Sequence, residues 1–136
     1  KQVDLGCIPY YMFIARDTGS KAFFEVPLVD AWELFSKAYS SVSGICRTVR
    51  GPSMSAYPGK VAVRGVREIK GEKMFILNFL QCRNPELVGI PFFAKFDAEA
   101  TWLDQLKPAF GEEKFFYEKD NLLGEGTDNK EIWGLE

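Results

Sequence analysis

The segment IPYYMFIARDTGSKAFFEVPLVDAWELFSKAYSSV (residues 8–42) carries the clearest structural signals of the chain. Its first part is almost entirely apolar or aromatic, which predicts a strand over residues 8–16 that is covered on both faces, as in parallel sheets. From Leu28 onward, apolar side chains recur every three or four residues after Pro27, which predicts an amphipathic helix over residues 28–42. A strand, a turn and a helix in this order predict the first part of a β-α-β unit.

The middle of the chain predicts further strands. We expect residues 45–50 to form the returning strand of the β-α-β unit, and the Gly-, Pro- and Ser-rich residues 51–59 to form a loop. Residues 61–69 and 73–81 have the apolar content of strands and flank Gly71, so they predict an antiparallel hairpin.

The last third of the chain predicts less regular structure. Asp97 is well placed to cap a short helix over residues 98–107, which Pro108 would end. Residues 115–117 suit a last strand, and the polar, glycine-rich residues from 120 onward are expected to be poorly ordered. The predicted fold class is therefore α/β to α+β.

Composition excludes several kinds of functional site. The 136 residues are 46% hydrophobic and 26% charged, as in a single globular domain. There is no histidine, and the cysteines Cys7, Cys46 and Cys82 are too few for a four-thiolate zinc site, so we predict no metal site. No apolar run reaches the roughly 18 residues that a membrane span needs. An odd number of thiols without a signal peptide predicts a cytoplasmic protein.

Charge is segregated along the chain. Residues 47–73 contain seven Arg or Lys and two Glu, a net charge of +5, whereas residues 97–136 contain eleven acids and four Lys, a net charge of −7. The basic segment allows a non-catalytic module that binds an anion such as a phosphate or single-stranded nucleic acid, of which nucleic acid is the weaker candidate. A further alternative is an interaction domain whose open sheet edge pairs with another protein chain. Within it, the loop from Gly51 to Lys60 exposes backbone N–H groups and hydroxyls that suit an oxyanion. The same composition also fits an ordinary loop, because the GxxxxGK pattern followed by Ser or Thr is missing.

Residues 5–60 resemble the last β-α-β segment of the radical-SAM domain in the lysine 2,3-aminomutase family. The resemblance rests on IPYY (residues 8–11) at the start of a strand, FEVPL (24–28) at the entry to a helix, Ser43-Gly44 at its end, and a Gly-containing loop that closes at Lys60. Residues 61–118, with VGIPFFA (88–94) and TWLD (101–104), are similar to an extension in a less characterised branch.

The resemblance implies a domain organisation and a set of cofactors. Residues 1–60 would complete a partial α/β barrel, residues 61–118 would be a C-terminal extension packed on it, and residues 119–136 would be an acidic tail. In the family, a 4Fe–4S cluster held by a CxxxCxxC motif cleaves S-adenosylmethionine to a radical, and pyridoxal phosphate carries an amino-acid substrate whose amino group migrates. This chain has no such cysteine motif, so the cluster and S-adenosylmethionine are expected in a preceding part of the polypeptide. The chain alone is then not an enzyme, and its partners are the rest of its own polypeptide and an amino-acid substrate.

The resemblance also implies site residues. The lysine that closes the family's glycine-rich loop binds pyridoxal phosphate covalently, and Lys60 has that position here. Nearby positive charge would keep its amine partly neutral, with Arg47 and Arg50 as candidates. The other residues expected at the cofactor are Ser53, Ser55 and Gly59.

The substrate positions depart from the family. Ser53 replaces one acid that binds the distal ammonium of lysine, and the other acid falls at Arg16 beside Asp17. Arg16 and Asp17 are therefore the predicted substrate-binding residues, and an acidic or neutral amino acid suits them better than lysine. A strand removed from a barrel has an unpaired edge, so the isolated chain is also a candidate homodimer.

Overall fold

The computed structural model describes residues 1–16, 19–119 and 122–123. The described strands form one mixed five-stranded sheet in the order β1-β2-β3-β4-β5, and the helices are few, which is an α+β arrangement. The strands are β1 (Tyr11–Phe13), β2 (Arg50–Ala56), β3 (Gly59–Ile69), β4 (Glu72–Cys82) and β5 (Pro91–Lys95). The α-helices are α1 (Lys21–Phe24) and α2 (Leu28–Ser40). Single 3₁₀ turns lie at Val3–Leu5, Gly44–Cys46, Pro85–Leu87, Leu103–Gln105 and Phe116–Glu118.

The β-α-β order predicted from the sequence is present. Strands β1 and β2 pair in parallel, and helix α2 lies between them in the chain. The helix ends at Ser40, two residues before the predicted end, and β1 is much shorter than the predicted strand over residues 8–16. The first backbone N–H of α2 donates to the carbonyl oxygen of Ala100 at 2.8 Å, so the distant segment 98–107 satisfies one free donor at the helix start.

The predicted returning strand over residues 45–50 is wrong, and so is the predicted loop over residues 51–59. Residues 44–46 form a 3₁₀ turn, and the strand begins at Arg50 and continues through Gly51 and Pro52. The pairing of β1 with β2 is irregular at this point, and such irregularities accommodate a residue without an N–H donor. Gly51 has a φ of 130°, and a Cβ there would collide with the backbone carbonyl of Met12. Position 51 is therefore a glycine because β2 approaches β1 closely there, although a glycine before a proline normally indicates a loop.

The predicted hairpin is confirmed with slightly longer strands. Strands β3 and β4 pair in antiparallel fashion around the turn at Lys70 and Gly71. Strand β5, which was not predicted from the sequence, pairs with β4 at the far edge of the sheet.

The predicted helix over residues 98–107 is wrong. Only Leu103–Gln105 forms a single 3₁₀ turn, and Trp102 has an extended backbone. The side chain of Asp97 does accept a hydrogen bond from the N–H of Glu99 at 2.9 Å, but this bond closes an isolated turn and no helix follows it. The chain instead returns along β5, where the N–H of Lys95 donates to the carbonyl of Lys107 at 2.8 Å. Residues 115–117 likewise form no strand, because Phe116–Glu118 is a 3₁₀ turn.

The two faces of the sheet have different environments. Met54 pairs with Val61, and these side chains pack with Leu28 and Ala31 of α2 in the main hydrophobic core. Strand alternation places Ser53, Ser55, Lys60 and Ala62 on the opposite face. We call this the helix-free face, because α2 packs on the other side.

Large apolar side chains remain exposed near β1. Strand-spaced aromatic side chains usually pack inward, which predicts that the aromatic residues of this chain lie in the core, and this is confirmed for Phe75, Phe79 and Phe92. It is wrong for four others, namely Tyr10, Phe13, Phe23 and Phe24, which are 57–81% exposed. Among the helices of the described residues, none has the length and apolar content required to cross a bilayer.

Candidate functional site around Lys60

Lys60 lies where the β2–β3 turn meets the helix-free face. It is half-buried, it pairs with Ser55 across the two strands, and its side chain extends toward β1. The Lys60 Nζ atom lies 4.4 Å from the centroid of the Tyr11 ring and 5.3 Å from that of Phe13. These two rings stack at 5.0 Å with an interplanar angle of 13°. The amine is therefore held over a two-ring aromatic surface by cation–π attraction.

A second cation contacts the same aromatic surface. The Nη1 atom of Arg50 donates a long hydrogen bond of 3.4 Å to the Tyr11 hydroxyl, and its guanidinium carbon lies 5.3 Å from the Tyr10 ring centroid. The hydrogen bond with Tyr11 raises the pKa of Arg50 above its usual value, so this guanidinium remains charged throughout the working pH range. Tyr11 thus connects Lys60 and Arg50. We refer to Tyr10, Tyr11, Phe13, Arg50 and Lys60 as the aromatic–cation cluster.

A cavity of about 430 Å³ opens beside Lys60. Its lining consists of Arg16, residues 55–60 and residues 81–83. Arg16 follows the end of β1, and Ser55 and Ala56 end β2. The cavity therefore lies at the carboxyl ends of the two parallel strands, which is where open α/β sheets commonly bind ligands.

A second, more apolar cavity of about 530 Å³ shares part of this lining. Arg16 and Ser55 border both cavities. The second one is otherwise lined mainly by apolar residues, among them Phe13, Phe24, Val26, Leu34 and Trp102. A ligand at Arg16 would thus have a polar region on one side and an apolar region on the other.

The structure brings some predicted site residues together and separates others. Lys60, Ser55, Gly59 and Arg16 all line the 430 Å³ cavity. Ser53 is fully buried and lines neither cavity. Asp17 lies outside the described residues.

Arg47 is held at the end of α2, away from the Lys60 cavity. Its Nε atom donates to the carbonyl of Val42 at 3.1 Å, and its guanidinium lies 5.5 Å from the Tyr39 ring centroid. Of the two arginines considered as the positive charge near Lys60, only Arg50 reaches the aromatic–cation cluster.

Gly59 shapes the cavity through its backbone. Its φ is 156°, and a Cβ at this position would collide with the backbone carbonyl of Gln81 on β4. The absence of a side chain allows the β2–β3 turn to approach β4 closely, which closes one wall of the cavity. Gly59 therefore provides space at the wall of the cavity.

Sequence reasoning missed Tyr10, Tyr11 and Phe13 as site residues, because it assigned strand-spaced aromatics to the core. Two features of the sequence could have identified them as site residues. The aromatic residues 10–13 lie close to the predicted end of their strand at residue 16, and basic residues stand at positions 50 and 60. Among the described residues, no cluster of three or more His, Cys, Asp or Glu side chains could bind a metal ion.

Comparison with known proteins gives one informative match. The chain is 27% identical over 110 residues to a protein of Aquifex aeolicus (strain VF5) named "Putative L-lysine 2,3-aminomutase". The match covers 81% of this chain and 28% of that protein, so the chain spans little more than a quarter of its relative's length. No protein-family model matches the chain, and no solved structure matches it with significance. The similarity supports a distant relationship to that aminomutase-like protein.

Proposed function

We propose that the chain is the C-terminal part of a radical-SAM, pyridoxal-phosphate-dependent isomerase of the aminomutase type, and that Lys60 binds the cofactor. The observation that carries this proposal is the position of the Lys60 amine, half-buried on the helix-free face at a 430 Å³ cavity. The distant similarity to an aminomutase-like protein and the β-α-β order support it further.

The side chains around Lys60 fit pyridoxal phosphate. The cofactor needs an amine to bond to its aldehyde, cations or hydrogen-bond donors for its phosphate, and space for a planar ring. Lys60 supplies the amine, Arg16 and the Ser55 hydroxyl line the same cavity, and the rings of Tyr11 and Phe13 lie beside the amine. When bound, pyridoxal phosphate activates the carbons next to the amino group of an amino acid.

The role of this chain's own residues in such a site is to position groups and exclude water. The Tyr11 ring orients the Lys60 side chain over β1, and Arg50 fixes the Tyr11 hydroxyl from the other side. The Gly59 backbone closes the cavity wall against β4. We assign S-adenosylmethionine and the 4Fe–4S cluster to a preceding part of the polypeptide, which would carry the CxxxCxxC motif.

The partner we propose for the β1 edge is that same preceding part. Within the described sheet, β1 pairs with β2 only, so its other edge is open. The side chains exposed near this edge are large and apolar, and include Ile8, Tyr10, Phe13 and Leu34. Burying such a patch against a further β-α unit of a partial barrel would remove both the open edge and the apolar exposure. A homodimer of the isolated chain would cover the same surface.

Reductive labelling tests the cofactor role directly. The full chain is incubated with pyridoxal phosphate and reduced with sodium borohydride, which makes any lysine–cofactor bond permanent, and the modified lysines are mapped by mass spectrometry. We expect Lys60 to be modified at a lower cofactor concentration than every other lysine, because the cavity supplies additional contacts. Lys60→Arg should abolish the modification at this position while leaving the other lysines unchanged.

Lys73 provides a matched internal control. Its Nζ atom lies 3.7 Å from the Phe96 ring centroid, so it has a comparable cation–π contact, but it lines none of the cavities described here. Equal modification of Lys60 and Lys73 across the titration would contradict the proposal, because ring contact alone would then explain the reactivity.

A further inference from the structure

The lining of the Lys60 cavity is unbalanced in charge. Among the lining residues that the structure describes, Arg16, Lys60 and Arg83 have basic side chains, and the remaining ones are neutral. The neutral polar groups include the Ser55 hydroxyl and the Gln81 amide. Cavities lined by charges of one sign concentrate ligands of the opposite charge.

The charges of Arg16 and Lys60 are not neutralised by carboxylates of the described residues. The ion pairs within that part of the chain are Lys1–Asp4 and Lys119–Glu112. Lys60 contacts the rings of Tyr11 and Phe13 instead, and a ring quadrupole attracts an ammonium without cancelling its net charge. Both cations therefore remain able to attract an anion.

Arg16 is the side chain best placed to pair with an anionic group. The N–H of Ile14 donates to the carbonyl of Ser53 at 2.8 Å, so the chain continues along β2 beyond the end of β1 and directs Arg16 to the strand ends. Arg16 is exposed and borders both cavities together with Ser55. A guanidinium and a hydroxyl at one opening suit a carboxylate or phosphate, because a guanidinium can donate two parallel hydrogen bonds to either group.

We infer that the Lys60 cavity binds an anionic ligand, a phosphate or a carboxylate, through Arg16 and discriminates against a ligand with a second ammonium group. This deepens the proposed function, on which it rests for the amino-acid class, by naming the charge of the ligand at the same site. An L-amino acid with a side-chain carboxylate would pair with Arg16, whereas the side-chain ammonium of L-lysine would be repelled by Arg16 and Lys60.

The test uses the full chain without pyridoxal phosphate, so that it is independent of the bond to Lys60. Inorganic phosphate, L-glutamate and L-lysine are titrated separately at constant ionic strength, and the backbone amide shifts are followed by NMR. We expect saturable shifts at Arg16, Ser55 and Lys60 with phosphate or L-glutamate, and affinity for L-lysine that is weaker by about tenfold or more. Response to phosphate alone would identify a phosphate site, and response to L-glutamate alone would identify a carboxylate site.

Variants separate a specific site from general attraction to a basic surface. Arg16→Gln should weaken binding of the responding anion by about tenfold, since it removes a charged hydrogen bond, and Arg16→Lys should restore part of it. Arg64→Gln is the matched control, because Arg64 is exposed on β3 and lines neither cavity. Equal weakening by Arg16→Gln and Arg64→Gln would overturn the inference, as would L-lysine binding as tightly as L-glutamate to the unmodified chain. Cofactor labelling at Lys60 combined with either result would leave the proposed function standing and remove only the anion preference.

Discussion

The amine of Lys60 on β3 lies 4.4 Å from the centroid of the Tyr11 ring on β1, although a full strand separates the two residues in the sheet. The Lys60 side chain spans β2 to make this contact. The same ring stacks on Phe13, and the Tyr11 hydroxyl accepts a hydrogen bond from Arg50. One aromatic side chain thus sets the position of the amine on which the proposed function depends.

Replacing Tyr11 should release Lys60. Tyr11→Leu removes a cation–π contact worth about 0.5–1 kcal/mol and a ring stack worth about 0.5–1.5 kcal/mol, so we expect the free energy of unfolding to fall by about 1–2.5 kcal/mol. The Lys60 Hε protons should move downfield in NMR spectra, because they leave the shielding region of the ring. Tyr11→Phe is the control, since it keeps the ring and loses only the 3.4 Å hydrogen bond with Arg50. Unchanged Hε shifts in Tyr11→Leu would contradict the contact.

Gly59→Ala should destabilise the cavity wall more than a turn glycine does. The φ of 156° disfavours any side chain, and the added Cβ meets the backbone carbonyl of Gln81, so we expect a loss of at least about 2 kcal/mol in urea unfolding. Gly71→Ala is the matched control, because Gly71 also has a positive φ of 79° but has no atom within 4 Å of the added Cβ. Its expected loss is about 1 kcal/mol. If Gly59→Ala and Gly71→Ala lower the free energy of unfolding by similar amounts, the close approach of the β2–β3 turn to β4 does not contribute to the cost of the Gly59 variant.

Elements that are encoded by local signals could be predicted from the sequence, whereas elements that depend on long-range contacts could not. Helix α2 and the β3–β4 hairpin were predictable, because a periodic apolar pattern and a glycine turn are encoded within about twenty residues. Strand β2 was missed since Gly51 and Pro52 normally indicate a loop. Only their position opposite the irregularity of β1 makes them compatible with a strand, and that position is a long-range property.

The difference between local and long-range signals also explains why the prediction of a helix over residues 98–107 was wrong and why the site was predicted only in part. Residues 98–107 follow the capping residue Asp97 and have apolar spacing, yet their backbone groups bond to α2 and β5 instead, through Ala100 and Lys107. At the site, the resemblance to the aminomutase family implied Lys60, Ser55, Gly59 and Arg16, which line one cavity. It could not predict the Tyr11 contact, because a lysine on β3 reaches β1 only through the strand order.

Tyr117 should make the fold sensitive to alkaline pH. Its side chain is almost fully buried in the core, and burial, with a smaller contribution from the charge of Glu118, raises the pKa of its hydroxyl far above the usual value near 10. The folded protein therefore holds this proton more tightly than the unfolded chain. The contribution of Tyr117 to the free energy of unfolding is therefore fully present below pH 10 and is lost as the pH rises above 10, because the unfolded chain loses the proton first.

Urea unfolding at pH 8, 9.5 and 11 measures this dependence. Tyr117→Phe removes the hydroxyl and should flatten the decline in stability between pH 9.5 and 11. Tyr57→Phe is the control, since it removes the hydroxyl of an exposed tyrosine instead of a buried one. An unaltered decline in Tyr117→Phe would assign the alkaline sensitivity to other groups.

Ser53 presents a buried hydroxyl that no described residue bonds. Its Oγ atom has no hydrogen-bond partner, and the same is true of Asn78 Oδ1, which lies two strands away in the same row across the sheet. An unpaired buried hydroxyl costs about 1–3 kcal/mol, so Ser53→Ala should leave the unfolding free energy unchanged or raise it by about 1 kcal/mol. Thr101→Val is the contrasting variant, because the Thr101 hydroxyl lies 3.4 Å from Gln105 Oε1 and from Glu25 Oε2. That change should be destabilising by about 1 kcal/mol.

The sign of the Ser53 result also bears on the proposed site. Ser53 pairs with Phe13 on β1 and with Ala62 on β3, so its hydroxyl belongs to the helix-free face that carries Lys60. If Ser53→Ala destabilises the chain alone, the hydroxyl already has a partner and is unavailable to a ligand. If Ser53→Ala leaves the free energy of unfolding unchanged or raises it, and yet weakens cofactor labelling of Lys60, the Ser53 hydroxyl binds the ligand and does not stabilise the fold. Measuring stability and labelling on the same variant therefore distinguishes a structural serine from a binding one.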